Sequence, residues 1–145
     1  MFWYEELVGR PWAAHANPPE SFNCGELIRY VHKLRFGINT NPILADGSKI
    51  RECVKNMSMP EFYDLVPCDY SVRRPFDIAL LMRLVRRDHI AVLVQTPQGL
   101  QFLHCVQGAG VILETQFEME ASTGCRFIEW FRHKDVTQEM ATCRA

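Results

Sequence analysis

The sequence lacks the closely spaced cysteine pairs that mark most disulfide scaffolds and structural zinc sites. No C-x-x-C occurs, and neighbouring cysteines along the chain lie at least 15 residues apart. We therefore expect mostly free thiols in a reducing compartment, and no structural zinc ion. The cysteines are Cys24, Cys53, Cys68, Cys105, Cys125 and Cys143.

Charge of one sign and long hydrophobic runs are also missing. The chain has 16 Lys and Arg residues against 17 Asp and Glu residues, a formal net charge of -1. Without an overall basic field, we expect neither nucleic acid nor an anionic membrane as a partner. No apolar run approaches the roughly 20 residues that a membrane-spanning helix requires. The stretch MFWYEELVGRPW has neither the basic region nor the apolar run of a signal peptide, so none is expected.

The composition is typical of a globular protein. The chain has 145 residues, of which 48% are hydrophobic and 23% are charged. This length is enough for one hydrophobic core and does not require a second. We therefore predict a single domain over residues 1–134, followed by a flexible tail at 135–145.

Helical patterns come first along the chain, and strand-like patterns follow. The strongest helix begins at Cys24, and shorter ones are predicted over residues 2–8, 48–57 and 59–66. Strands are predicted over residues 76–84, 89–95, 100–106, 110–115 and 125–131. This order is typical of an α+β domain in which N-terminal helices pack on an antiparallel sheet of about five strands.

The stretch FNCGELIRYVHKLRFGI places a cysteine at a helix start. Asn23 is expected to be the N-cap, so unpaired backbone N–H groups of the first turn point toward the Cys24 thiol. The helix dipole lowers the pKa of such a thiol, and the N–H groups form an oxyanion site for acyl transfer. A free cysteine is also a small buried hydrophobe, so a structural role stays open. The apolar stripe of this helix comprises Leu27, Ile28, Val31 and Leu34, and Gly37 suits its C-terminal end.

Two of the five histidines fall on neighbouring predicted strands. The alternation of a strand puts His89 on one face with Ala91, and His104 on one face with Phe102. A two- or four-residue connection at TPQG pairs residues whose numbers sum to 195, which sets Ala91 opposite His104. The histidines are then diagonal neighbours about 7–8 Å apart, within reach of each other's side chains. A three-residue loop with a bulge would break this register.

These two histidines complete a catalytic arrangement if their face packs on the Cys24 helix. The thiol would be the nucleophile, one histidine its base, and the other a polar group that orients the base. A satisfied core histidine is one alternative; a metal pair is a weaker one, since no third and fourth ligand is evident. The remaining histidines are expected to be solvated side chains: His15, His32 and His133.

The motifs resemble those of the NlpC-like cell-wall cysteine peptidases, a branch of the papain-like superfamily. The family pattern is Asp-Cys-Ser-Gly-Leu at a helix start, Pro-Gly-Asp before a strand, His-Val-Gly-Ile-Tyr on the next strand, and a polar residue, often histidine, on the strand after. The corresponding stretches here read NCGEL, RPFDIALL, DHIAVLV and FLHCV. LVGRPW is similar to the Gly-x-Pro-Tyr segment of the family. GAGVILE followed by FIEWFRH is similar to the ending of the small versions carried by tailed phages and gene-transfer agents.

The resemblance implies a papain-like NlpC-type fold and assigns site residues position by position. Cys24 would be the nucleophile, His89 the general base and acid, and His104 the orienting third residue. No metal or organic cofactor is implied. Substrate contacts are implied for Trp12, which stands where the family commonly has tyrosine, and for Asn23 and Gly25.

Several positions depart from the family pattern. Asn23 replaces aspartate, which keeps a capping oxygen but removes a charge. Glu26 stands where glycine usually allows close approach, and Ala91 and Phe76 also replace glycines. Asp77, which follows Phe76, is expected to be structural and not catalytic.

The implied function is hydrolysis of amide bonds in peptidoglycan stem peptides. The small phage versions lack a signal peptide and belong to the tail tip. The resemblance thus implies synthesis in the bacterial cytoplasm, incorporation into a virion tail, and contact with tail-tip or hub proteins. The alternative is a structural tail-tip protein with little or no hydrolysis, whose aromatics in MFWY and FIEWF are buried against neighbouring subunits. A third interpretation is an acyltransferase or deamidase with the same thiol and histidine.

Overall fold

A six-stranded antiparallel sheet organises the described part of the chain, which in this computed structural model comprises residues 1–41, 55, 60–83 and 86–145. The strands are β1 (Leu65–Pro67), β2 (Ile78–Arg83), β3 (Arg86–Thr96), β4 (Gly99–Val106), β5 (Gly110–Glu114) and β6 (Phe127–His133). They lie in the order β1-β6-β2-β3-β4-β5. The helices of these residues are α1 (Cys24–Phe36), α2 (Gln116–Thr123) and α3 (Gln138–Arg144). The predicted α+β class with an antiparallel sheet is confirmed.

Helix α1 begins and ends where the sequence predicts. The Asn23 side chain caps it by accepting a hydrogen bond from the backbone N–H of Glu26 at 2.9 Å. Gly37 ends the helix in the left-handed conformation, with φ of 69°, where a residue without Cβ is favoured. The apolar residues Leu27, Ile28 and Val31 are buried against the sheet. Leu34, the fourth residue of the predicted stripe, is 49% exposed, so that part of the prediction is wrong. No helix within the described ranges is long and apolar enough to cross a membrane.

The sheet buries a different set of side chains on each of its faces. The face that packs against α1, called here the α1 face, belongs to the main core cluster. The opposite face, called the α2 face, packs against Met119 of α2. The sheet residues of the α1 face include Ile78, Leu80, Ile90, Val92, Val94, Leu103, Cys105 and Val111. Those of the α2 face include Ala79, Leu81, Ala91, Leu93, Phe102 and Trp130.

The β3–β4 hairpin has the predicted register. Its pairs run from Val92 with Leu103 to Thr96 with Gly99, so paired residue numbers sum to 195. The Thr96 hydroxyl donates to the Gly99 carbonyl at 2.8 Å and accepts from the backbone N–H of Gln98 at 3.1 Å. These bonds brace the two-residue turn. The register prediction is confirmed.

Other predicted elements differ from those observed. Residues 3–9 form turns and not a helix, with the backbone N–H of Leu7 bonded to the carbonyl of Tyr4 at 3.0 Å. The helix predicted at 59–66 is a 3-10 turn at Pro60–Tyr63 followed by β1. The helix predicted at 48–57 lies outside the described residues except for position 55. Helix α2 was not predicted. Helix α3 forms where a flexible tail is expected, and Val136 and Ala141 of that segment are buried in the main cluster.

The segment before α1 is held against the edge of the sheet. The backbone N–H of Gly9 donates to the carbonyl of Val111 at 2.8 Å, and that of Val111 donates to the carbonyl of Arg10 at 2.9 Å. A Cβ at Gly110 would collide with the Arg10 carbonyl oxygen, so glycine is required there. This contact fixes the LVGRPW segment beside β5.

Two histidines expected to be solvated are buried, and those predictions are wrong. His32 is 0% exposed and His133 is 1% exposed, with ring centroids 5.6 Å apart between α1 and β6. The Nδ1–H of His32 donates to the Ile28 carbonyl at 2.9 Å. Burial lowers the pKa of His32 to about 4 and also lowers the pKa of His133. His15 is exposed, as predicted. The prediction followed the polarity of His32, although Ile28 and Phe36, four residues to either side, place it on an apolar side of the helix.

Acidification is expected to destabilise the fold through His32. An unfolded histidine titrates near pH 6.5, whereas folded His32 titrates near pH 4, so the unfolded chain binds more protons between these values. The contribution of neutral His32 is therefore present above pH 6.5 and is lost as the pH falls to 4. This loss amounts to about 3 kcal/mol in the free energy of unfolding. Urea unfolding of wild type and His32→Leu across pH 7 to 4 measures it, with His15→Leu as the control. Equal pH dependence in wild type and His32→Leu would contradict the assignment.

A buried carboxylate ties the start of β2 to β6. Asp77 is 0% exposed, and it accepts two hydrogen bonds from Arg132, from Nε at 2.6 Å and from Nη2 at 2.7 Å. It also accepts the backbone N–H of Arg74 at 2.9 Å. The bonds to Asp77 raise the pKa of Arg132. Phe76, which precedes Asp77, has a φ of 72°, and the centroid of its ring lies 4.7 Å from that of Phe36. These contacts give Asp77 a structural role.

Removal of the Asp77 carboxylate is expected to cost far more than removal of an exposed pair. Asp77→Ala leaves the Arg132 guanidinium without its bidentate partner, so we expect a loss of about 3 kcal/mol in the free energy of unfolding. The matched control is Lys134→Ala, which breaks the exposed Lys134–Asp64 pair, 3.1 Å long, and should cost less than about 1 kcal/mol. Denaturant unfolding measures both. Similar losses in the two variants would show that burial of Asp77 does not matter.

Candidate active site

Cys24 lies where a nucleophile at a helix start is expected. It is the first residue of α1, is half-buried, and packs on the main core cluster. The thiol of Cys105, on β4, donates to the Phe22 carbonyl at 3.2 Å. Burial, and to a lesser degree the nearby Cys24 thiol, raise the pKa of Cys105 to about 12. The bond from Cys105 to Phe22, two residues before Cys24, places the start of α1 near Cys105.

The two strand histidines contact each other directly. The distance between His89 Nε2 and His104 Nδ1 is 2.8 Å, and the ring centroids are 5.0 Å apart. His104 is 0% exposed, whereas His89 is half-buried. The prediction that the hairpin register brings these side chains into contact is confirmed.

The histidines share the α2 face, and α1 packs on the other face. His89 is paired with Leu81 of β2, which belongs to the α2 face. His104 lies between Leu103 and Cys105, which both point to the α1 face. The expectation that the histidine face packs on the Cys24 helix is therefore wrong. The reason is that the alternate residues of β3, with Ile90 among them, form the larger apolar surface, and the apolar stripe of α1 packs there.

Cys24 and His89 nevertheless lie at the same end of the sheet. If the register of the β3–β4 pair is extended along both strands, Cys105 lies beside Ile90 and Val106 lies beside His89. The start of α1 lies near Cys105, because the Cys105 thiol donates to the Phe22 carbonyl. The β2–β3 ladder shifts register directly beside His89, between Leu81 and Met82. Such a bulge bends a strand and changes the direction of its side chains, and bulges are frequent next to active sites. Cys24, on the α1 face, and His89, on the α2 face, thus lie at the same end of the sheet but on opposite faces.

Two further residues extend the pair, and sequence reasoning missed both. His104 Nε2 lies 2.8 Å from Glu114 Oε2, and the Ser122 hydroxyl donates to the same oxygen at 2.9 Å. We call these residues and the two histidines the histidine network. Strand alternation would have predicted the position of Glu114. Residues two apart on a strand share a face, so Glu114 lies on the same face as Ile112, which pairs with His104 on β4. Burial lowers the pKa of His104, and the Glu114 carboxylate offsets part of that decrease.

The three residues implied as substrate contacts surround the start of α1. Trp12 is half-buried and forms a parallel bridge with Phe22. Both polar atoms of the Asn23 side chain are used, since Nδ2 donates to the Ala14 carbonyl at 3.2 Å while Oδ1 caps the helix. Gly25 is buried in the first turn. Asn23 therefore positions the helix start.

The Glu26 side chain forms its contacts along the helix. Both of its carboxylate oxygens accept from Arg29 Nη1, at 3.1 and 2.8 Å. Arg29 also donates to the Thr40 carbonyl from Nε at 3.4 Å and from Nη2 at 3.3 Å. On the helix, residue 26 lies about 200° around the axis from residue 24, at 100° per residue. The Glu26 side chain is thus directed away from the thiol.

Metal ligation finds no support among the residues described. Within them, no group of three or more His, Cys, Asp and Glu side chains is placed to hold a metal ion. None of the five cysteines in these ranges forms a disulfide; they are Cys24, Cys68, Cys105, Cys125 and Cys143. Cys53 lies outside the described residues.

No protein-family model matches the chain, and no curated protein matches it. Functional assignment therefore depends on the geometry of the residues themselves.

Alkylation is expected to distinguish Cys24 from the other half-buried cysteine. Burial, followed by the charge of Asp77, raises the pKa of Cys68 to about 11. At pH 7.5 such a thiol has about two orders of magnitude less thiolate than one of ordinary pKa near 8.5. We therefore expect iodoacetamide to modify Cys24, at a helix start, faster than Cys68, as measured by peptide mapping.

The same measurement in urea is the control, because unfolding should remove the difference. Cys105 should resist modification in the folded protein for the same reason as Cys68, since its pKa is about 12. Cys143 is exposed and should react at an ordinary rate. Modification of Cys24 as slow as that of Cys68 would identify it as a structural thiol.

Proposed function

We propose that this protein is a cysteine peptidase or amidase of the NlpC-like type that hydrolyses amide bonds of peptidoglycan stem peptides. The proposed setting is a phage tail tip, where hydrolysis would aid penetration of the cell wall. The observation that carries the proposal is the 2.8 Å contact between His89 and His104 at the end of the sheet where α1 begins with Cys24. Acyl transfer by a thiolate requires a thiol and a base with an orienting partner, so the proposal requires Cys24 and His89 to meet around this strand end when substrate is bound.

The first turn of α1 is suited to hold the oxyanion. Asn23 takes the backbone N–H of Glu26 with its side chain and that of Leu27 with its carbonyl. The N–H groups of Cys24 and Gly25 precede these two and point out of the helix start. A carbonyl attacked by Sγ would place its developing negative charge at these donors and at the positive end of the helix dipole.

The reaction proceeds in two acyl transfers. His89 takes the thiol proton, and the Cys24 thiolate forms a bond to the scissile carbonyl carbon. The tetrahedral intermediate collapses when His89 returns the proton to the leaving amine and the C–N bond breaks. A water molecule, deprotonated by His89, then attacks the thioester, and release of the acid regenerates the thiol. No step requires a metal ion or an organic cofactor.

The structural tail-tip alternative depends on aromatic surface. Of the aromatics in MFWY and FIEWF, Tyr4, Trp130 and Phe131 are buried in the protein's own core. Phe2 is 46% exposed and Phe127 is 63% exposed, so these are the side chains of the two stretches that a neighbouring subunit would cover.

Cys24→Ala is expected to fold normally and to abolish the release of peptide fragments from purified sacculi. The change removes the nucleophile but only one sulfur atom from a half-buried position, so the thermal unfolding midpoint should stay within a few degrees of wild type. Cys68→Ala is the matched control, since it removes a half-buried thiol away from α1, and it should keep full activity. Equal activity of Cys24→Ala and wild type would refute the proposal. An inactive wild type that binds tail proteins stably would favour the scaffold.

A further inference from the structure

The histidine network links four consecutive elements through three short contacts. Ser122 on α2 donates to Glu114 at the end of β5, Glu114 contacts His104 on β4, and His104 contacts His89 on β3. The contact distances are 2.9, 2.8 and 2.8 Å. His104, in the middle, is fully buried, and the Glu114 side chain is 16% exposed. The network therefore ends at a partly exposed histidine and is closed to solvent at its centre.

When Glu114 is ionised, only one placement of the protons on the two neutral histidine rings satisfies the hydrogen bonds of the network. A carboxylate can only accept, so the proton of neutral His104 must be on Nε2. Nδ1 of His104 is then an acceptor, and the contact with His89 requires a proton on His89 Nε2. A neutral His89 with its proton on Nε2 carries a lone pair on Nδ1. That lone pair is what a general base needs.

Burial of His104 and the second hydrogen bond to Glu114 both favour a neutral His104. Burial lowers the pKa of His104, so the ring is uncharged at neutral pH. The Ser122 hydroxyl gives Glu114 Oε2 a second donor, so the carboxylate does not need a charged partner to be satisfied. The contact between His104 and Glu114 is therefore a hydrogen bond from a neutral ring and not a salt bridge.

We propose that Glu114 is a positioning residue that fixes the tautomers of both histidines, so that His89 presents Nδ1 as the base, with Ser122 holding the Glu114 carboxylate in place. The reaction served by this base is the one proposed above, and in that respect the inference rests on the proposed function. The tautomers themselves are a property of the unliganded protein. Glu114 acts through His104 and does not touch the reacting atoms.

The tautomers can be read directly from long-range 1H–15N NMR spectra of the histidine rings. At pH 7.5 we expect Nε2–H for both His89 and His104 in the wild type. Glu114→Ala removes the acceptor that orders the network, so the Nδ1–H form of His104 should become populated. A wild-type His104 with its proton on Nδ1, or an unchanged tautomer in Glu114→Ala, would overturn the inference.

Glu114→Gln provides a second test in a variant of nearly the same shape. Loss of the negative charge should lower the pH at which His104 gains its second proton, because the carboxylate is the group that raises its pKa. An unchanged titration of His104 would overturn the inference even if Glu114→Ala fails to fold. The control is Glu120→Ala, which removes an exposed carboxylate of α2 that contacts Gln116 and not the network. It should change neither the tautomers nor the titration.

Kinetics separate positioning from binding. With a soluble stem peptide as substrate, Glu114→Ala and Glu114→Gln should lower kcat about 10- to 100-fold with KM unchanged, since misplaced protons impair the base and not substrate binding. Inactive wild type with the expected tautomers would refute the proposed function alone. Active wild type whose tautomers do not respond to Glu114→Ala would refute this inference alone.

Discussion

The pairing of β3 with β4 determines where the two histidines of the candidate site lie. A two-residue connection between Thr96 and Gly99 sets a register in which paired residue numbers sum to 195. Because strand side chains alternate, a slip of one residue would move the whole apolar set of β3 to the wrong face. The same slip would separate His89 from His104. The register is thus enforced by core burial, and the histidine contact follows from it.

Because both faces of the sheet are buried, polar side chains in the sheet are held by hydrogen bonds in fixed orientations. The α1 face is covered by α1 and the α2 face by α2, so polar side chains that enter either layer must find partners. Asp77 is paired with Arg132, and His104 with His89 and Glu114. These bonds hold each group in one orientation. A rigidly held base is useful to an enzyme, because catalysis requires the base to be in place before the substrate arrives.

Helix α1 and the sheet meet at the strand end where the proposed chemistry occurs. The helix contributes Cys24 and the N–H groups of its first turn, and β3 contributes His89 beside a bulge. The segment before the helix is fixed by its bonds to Val111, so the position of Cys24 depends on β5 as well as on β4. Changes near Gly110, far from Cys24 in sequence, are therefore connected to the site through the backbone.

Much of this arrangement follows from local sequence alone. Asn23, the apolar stripe and Gly37 define α1 because capping and helical periodicity are properties of neighbouring residues. The hairpin register and the contact between His89 and His104 follow from turn length and strand alternation. Each of these depends on residues within about one helix or one hairpin of each other.

The tertiary structure decided what local patterns leave open. Which face of the sheet α1 covers depends on the apolar area of each face as a whole, and it is the face opposite the histidines. Burial of His32 and His133 follows from the meeting of α1 with β6, which lie about a hundred residues apart in sequence. The bond from Glu114 to His104 joins two strands, and Ser122 joins the network from α2. Such contacts depend on how whole elements pack, because no periodicity within one element specifies its distant partner.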